Sequence, residues 1–150
     1  MTVRLGQASD LPVLEAVQRV LSEPAPELLA GALTSDGPLS VFVATESDRT
    51  PVGYVIVLPG PSAVYVPELA VLPAHQREGY GSALLSAVVT VAREQSIPEI
   101  RLTVAASNEQ AQAFYESHDF TVRERIPGRF DAGDGVVLAK PTVSSPSTGC

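Results

Sequence analysis

The sequence predicts one mixed α/β domain of about seven strands flanked by about four helices. Two patterns carry that expectation. β-rich runs alternate along the chain with segments whose apolar residues recur at helical spacing. In one stretch, residues 66–86 (VPELAVLPAHQREGYGSALLS), an apolar strand passes through a glycine-bearing turn into a helix. The length of 150 residues suits a single domain with a core that needs no staples.

Residues 3–7 read as a short strand. Ser9 and Asp10 then offer an N-cap, and Pro12 is acceptable in a first turn. Leu11, Leu14, Val17 and Leu21 recur at helical spacing, with Glu15, Gln18 and Arg19 on the opposite face. Residues 22–26 break that helix, and residues 27–33 make a second, shorter one. Residues 40–45 and 52–58 are β-rich runs on either side of a polar turn, a hairpin signal.

Residues 63–71 form a further central strand that contains Pro67. Proline cannot donate to a ladder, so a bulge or a local parting of strands is expected there. The glycine loop leads into a long helix ending near residue 95, with Leu84, Leu85, Val88, Val89 and Ala92 on one side. Residues 99–105 give another strand. Asn108 then caps a helix that carries Ala111, Phe114, Tyr115 and His118 on one face. Residues 120–126 and 136–140 complete the sheet. The domain is expected to span 1–140, with residues 141–150, rich in Ser, Thr and Pro, as a disordered tail.

Composition narrows the function classes. No apolar run approaches the roughly 20 residues of a membrane span, and the first residues lack a signal-peptide layout, so a cytoplasmic location without membrane contact is expected. The only cysteine, Cys150, leaves no internal disulfide and no cysteine-based metal cluster, and no metal site is expected. A formal net charge of −7 argues against a nucleic-acid partner, which would need a basic surface. Lys140 is the only lysine, so an anionic ligand must be held by local N–H groups and a few arginines.

The loop Gln76-Arg77-Glu78-Gly79-Tyr80-Gly81-Ser82 has that capacity. A helix N-terminus aims several backbone N–H groups at one spot, which suits a phosphate or pyrophosphate. Gly79 and Gly81 would let an anion come close to the backbone. Taken alone, the two glycines are equally compatible with simple turn residues.

Two segments in order resemble one family. LAVLPAHQREGYGSALL resembles the cofactor motif (Q/R)-x-x-G-x-(G/A) of the GNAT superfamily of acyl-CoA N-acyltransferases, with Gln76, Gly79 and Gly81 at its fixed positions. LTVAASNEQAQAFYESHDF, residues 102–120, resembles the next strand and helix of that family, with its Asn-x-x-Ala-x-x-(Phe/Leu)-Tyr-x-x-x-Gly-Phe pattern. The resemblance spans residues 2–140 and implies a GNAT-like domain with a mixed, mostly antiparallel sheet. It implies an N-acetyltransferase that moves an acetyl group from acetyl-CoA to a primary amine, by direct attack in a ternary complex. The amine would be a protein N-terminus or a small molecule. An alternative is an acyl-CoA-binding module that has lost catalysis and serves regulation.

The resemblance also assigns roles. The pyrophosphate would lie on Gln76, Arg77, Glu78, Gly79, Tyr80, Gly81 and Ser82. The pantetheine arm would lie along Leu69, Ala70 and Val71, with Asn108 bonded to it. N–H groups near Leu69 and Val71 would hold the thioester carbonyl. Tyr115 takes the place of the general acid beside the CoA sulfur; without the motif it reads as a core aromatic. Glu68, the only acid in the central strand, is the candidate base, with an outward-facing strand residue as the other reading. His75 could touch phosphate or simply sit on an exposed turn, Tyr65 could face the acceptor or pack, and helix-dipole contact suffices for His118.

Within the superfamily the chain is most similar to the N-terminal acetyltransferases of ribosomal proteins. It departs from them at Thr103, where they carry a catalytic Glu, and at Arg129 and Phe130, where they carry a Tyr-Tyr pair. Asp119 replaces the Gly before the closing Phe; Asp tolerates the left-handed conformation better than most residues. The resemblance also suggests a homodimer, with the C-terminal strand as the contacting edge.

Overall fold

Residues 52–57 are apolar without alternation, and all six are buried, because the strand they form is covered on both faces. The computed structural model describes residues 2–21, 24–34, 37–130 and 133–142. In chain order the elements are β1 (Thr2–Leu5), α1 (Leu11–Gln18), α2 (Pro26–Thr34), β2 (Ser40–Thr45), β3 (Pro51–Pro59) and β4 (Val64–Val71). They continue with α3 (Tyr80–Glu94), β5 (Glu99–Ala105), α4 (Glu109–Glu116), β6 (Thr121–Phe130) and β7 (Gly133–Pro141). One seven-stranded sheet results, in the order β1-β2-β3-β4-β5-β7-β6, and it is antiparallel except between β4 and β5.

Each face carries its own core. Val55 and Val57 point with Leu84, Leu85, Val88 and Ala92 of α3 into one. Tyr54 and Ile56 point with Leu14, Val17 and Leu29 of α1 and α2 into the other. The helical stripe read from the sequence is therefore the stripe that α3 buries. Truncating the fully buried Leu84 to Ala would cost about 2–5 kcal/mol.

Several boundaries differ from the sequence reading. β1 stops at Leu5, and α1 ends at Gln18. Asp10 does not cap α1: its carboxylate binds Arg4 at 2.9 Å and the Gln7 N–H at 2.7 Å instead. β6 and β7 each run longer than expected, to Phe130 and from Gly133, and form a hairpin whose register shifts twice. β7, the C-terminal strand, is internal between β5 and β6, so it offers no edge for a partner. The edge on this side of the sheet is β6, exposed along nearly its whole length and carrying Arg123, Glu124 and Arg125, charges that discourage edge-to-edge pairing. Packing reaches two residues beyond 140: Thr142 is buried, its N–H donates to the Pro98 carbonyl, and its own carbonyl accepts from Arg93. The remainder of the expected tail, with Cys150, lies outside the described residues. Among the described residues no helix is long and apolar enough to cross a membrane, and no group of three His, Cys, Asp or Glu side chains could hold a metal ion.

Candidate active site

Pro67 disturbs β4 in both of the expected ways. Ile56 faces Glu68 and Leu58 faces Tyr65, so β4 spends one residue more than β3 over the same span, a bulge at Val66–Pro67. On its other side β4 pairs with β5 only at Val64–Ile100 and Tyr65–Arg101, after which the two strands part. The Leu72 N–H still donates to the Val52 carbonyl at 2.9 Å. By the alternation of an antiparallel ladder, the N–H groups of Leu69 and Val71 then point away from β3, into the gap. The Ala70 side chain is buried in the α1–α2 core.

The Val71 carbonyl, on the same open edge, accepts from Gln76 Nε2 at 3.0 Å. That bond folds the loop back onto β4. Two left-handed residues shape the rest of the loop, Arg77 at φ 68° and Gly79 at φ 91°. The first backbone bond of α3 runs from the Ala83 N–H to the Gly79 carbonyl at 3.0 Å. The amides of Tyr80, Gly81 and Ser82 are left as the donors of the helix N-terminus, beside the open end of the gap.

Other parts of the loop have packing reasons. A Cβ on Gly81 would come 2.9 Å from Phe114 Cζ, so glycine here answers the crossing of α4 rather than the approach of a ligand. His75 pairs with Glu46 at 3.0 Å and with Glu78 at 3.3 Å, and its ring meets Tyr80 edge-on at 5.7 Å. His118 is bonded rather than merely lodged at a helix end: its Nε2 lies 3.0 Å from Ser82 Oγ, joining the end of α4 to the start of α3. Arg77 is exposed and has no ion-pair partner among the described residues. Asp119 adopts the left-handed conformation, at φ 72°.

α4 starts at the expected cap. Asn108 Oδ1 accepts the Ala111 N–H at 3.1 Å, which leaves the carboxamide nitrogen for another acceptor. Tyr115 packs edge-on against Phe114 at 5.1 Å and Phe120 at 5.4 Å, with 6% of its surface exposed. Among the described residues its hydroxyl has no hydrogen-bond partner, yet no fully buried side-chain N or O atom is left unsatisfied. The hydroxyl is therefore not fully sealed from the surface. Burial pushes this phenol well above its ordinary pKa, so it stays protonated at neutral pH.

Glu68 lies on the other face and is buried, not outward-facing. It accepts from Gln18 Nε2 at 2.9 Å, from the Tyr54 hydroxyl at 2.8 Å and from the Ala25 N–H at 2.6 Å. Burial, then the charge of Glu68, pushes the Tyr54 phenol up as well. Gln18 thus faces inward rather than with Glu15 and Arg19, because the buried carboxylate needs its donor. Sequence reasoning missed both Gln18 and Tyr54. The signal available was a polar residue next to Val17 in the apolar period of α1.

Glu68 also lines a cleft of about 450 Å³ with Leu28, Tyr65, Arg101, Thr103 and Arg129. The gap between β4 and β5 thus has Tyr115 on the face of α3 and α4, and Glu68 with the cleft on the face of α1 and α2. The structure does not bring these two side chains into contact.

The acetyltransferase (GNAT) family profile matches residues 10–120. The fold is similar to the ribosomal-protein-S18-alanine N-acetyltransferase from Escherichia coli, with a TM-score of 0.82, 22% identity, and 96% of this chain and 95% of that one covered. It is also similar to Ard1 from Thermoplasma volcanium, at TM-score 0.80 and 22% identity over 95% and 98% of the two chains. A GNAT family acetyltransferase from Elizabethkingia anophelis, solved with acetyl-CoA bound, matches at TM-score 0.80 and 17% identity over 93% and 97%. No curated protein sequence matches the chain significantly.

Proposed function

Because the chain belongs to the acetyltransferase (GNAT) family, we propose that it transfers an acetyl group from acetyl-CoA to a primary amine. The observation that carries this reading is the gap after Tyr65, where β4 turns unpaired amides away from β3 and leads, through the loop that Gln76 folds back, to the N-terminus of α3. A pyrophosphate fits the amides of Tyr80, Gly81 and Ser82, and a peptide-like arm fits the edge at Leu69, Ala70 and Val71. Gln76 and Gly79 shape the loop, Arg77 is the cation the loop itself carries, and Asn108 offers its carboxamide nitrogen to the arm.

Acetyl-CoA supplies an activated thioester, which an amine attacks directly at carbon while the C–S bond breaks and the thiolate leaves. The amides of Leu69 and Val71 donate where negative charge develops on the carbonyl oxygen. Tyr115 donates a hydrogen bond to the leaving sulfur. Full proton transfer from a phenol raised this far to a thiolate, whose ordinary pKa is about 8.5, is uphill. Its contribution is thus charge stabilisation, and the second proton, shed by the nitrogen after attack, ends on the thiol. Among the described residues Glu68 is the only carboxylate lining the cleft. With three donors already on it, we assign it to take the amine proton through a water rather than directly.

Calorimetric titration with acetyl-CoA, ATP and NAD in parallel, followed by thiol release with a panel of amines, tests the proposal. Acetyl-CoA alone should bind, and amines should release CoA. Binding without release on any amine would leave only an acyl-CoA-binding module, and no binding would overturn the reading.

A further inference from the structure

Resting on the acetyltransferase reading, we infer that the accepted amine carries a carboxylate, bound by Arg129 with Arg101 beside it. The cleft on the α1–α2 face is lined by two guanidinium groups and one carboxylate. That carboxylate, Glu68, is held by three neutral donors, Gln18, Tyr54 and the Ala25 N–H, and makes no ion pair with either arginine. Arg101 uses its Nε on Glu99, which is shared with Arg123. Arg129 has no carboxylate partner among the described residues and sits 5.1 Å from the centre of the Phe130 ring.

Arg129 is also seated. A Cβ on Gly135 would come 2.8 Å from its Cγ and 2.9 Å from its Cβ, and 3.0 Å from Thr103 Cγ2. Glycine at 135 thus makes room for the arginine stem to cross β7 toward Thr103, which a free surface arginine would not require. Arg101 is balanced by Glu99, so among the described residues Arg129 is the unpaired cation of the cleft, and it disfavours a bare ammonium ion beside it. An acceptor that brings its own anion removes that repulsion and offers a guanidinium the planar, two-oxygen partner it matches best. The anion could be the α-carboxylate of an amino acid or an acidic side chain near a peptide N-terminus.

The test uses product-like ligands and so requires no turnover. Protein saturated with CoA is titrated with N-acetylalanine, N-acetylglutamate and N-acetylphenylalanine, with their amides, and with an acetyl-glutamyl peptide amide. At least one acid should bind about tenfold or more tightly than its amide. Arg129→Gln should remove most of that preference, and Arg129→Lys should retain part of it. The peptide arm separates the sources: if it binds like the free acids, an acidic side chain suffices, and if it binds like the amides, an α-carboxylate is required. Equal binding of acids and amides, binding of neither, or a preference that survives Arg129→Gln overturns the inference while CoA binding leaves the parent reading standing. Failure of CoA itself to bind overturns both.

Discussion

On the α3–α4 side of the β4–β5 gap, the groups proposed to hold the cofactor are mostly backbone amides fixed by residues close in sequence. On the α1–α2 side, the cleft proposed to receive the amine is made of side chains brought from remote parts of the chain. Gln18 and Ala25 reach Glu68 across 50 and 43 residues, and Arg129 is seated against Gly135 on the next strand. A backbone site tolerates most side-chain changes but fails when a left-handed position or a helix start is lost. A side-chain site can change its ligand through a few substitutions while the fold stays the same. The donor half of the proposed site therefore has little freedom to change, and the acceptor half has more.

The largest effect that would break this division is expected at Gly79. Its φ of 91° disfavours any Cβ, at about 1–2 kcal/mol, so Gly79→Glu should remain folded with a lowered Tm. The added carboxylate would stand at the helix N-terminus where the pyrophosphate is placed. Acetyl-CoA affinity should fall by roughly 100-fold or more, as read by calorimetry, about 2.7 kcal/mol. Unchanged affinity would mean that the phosphates lie elsewhere.

Tyr115→Phe comes next. The hydroxyl binds no other described residue, so its removal should leave stability within about 0.5 kcal/mol and acetyl-CoA affinity nearly intact. If the hydroxyl steadies the leaving sulfur, kcat should drop about 100-fold, measured as thiol release under saturating donor. Equal kcat in the two proteins would return Tyr115 to the aromatic core with Phe114 and Phe120.

This contrast also explains what could be read in advance. The order of strands and helices, the parting of strands at Pro67, the cap at Asn108 and the loop at Gln76–Ser82 were legible because each depends on neighbours in sequence. Proline's missing N–H, the start of α3 and a cap three residues from its donor are local constraints. The acceptor half was not legible in that way. Gln18 reads as a polar residue on the outer face of α1 until β4 places a buried carboxylate beneath it. Nothing in the spacing of Arg129 and Gly135 shows that one seats the other, since their contact depends on a hairpin whose register shifts between Ile126 and Phe130. The C-terminal strand was expected at an edge for the same reason: sequence order does not reveal that β7 inserts between β5 and β6.

Glu68 separates two roles on the acceptor side. Glu68→Gln replaces an acceptor oxygen with a donor that must face Gln18, Tyr54 or the Ala25 N–H, so stability should fall by about 1–3 kcal/mol. Tyr54→Phe removes one donor and should cost about 1 kcal/mol. If Glu68 also takes the amine proton, kcat should fall much further in Glu68→Gln than in Tyr54→Phe, with the difference shrinking at high pH as the amine loses its proton unaided. If the carboxylate only anchors α1 and the start of α2, the two variants should lose activity in proportion to their loss of stability.

The smallest effect sharpens the comparison from within the cofactor half. Gly81 belongs to the family motif, yet the space above it is filled by Phe114 rather than left open. Gly81→Ala should therefore act through helix packing, costing about 1–2 kcal/mol of stability through the clash with the ring. Any weakening of acetyl-CoA binding should follow from the displaced α4. Trimming the ring with Phe114→Leu in the same chain should then recover much of both, because the added methyl group fills part of the space released. A double variant that regains stability but not affinity would place the ligand against Gly81 itself. In that case the motif's second glycine would serve the cofactor as directly as the first.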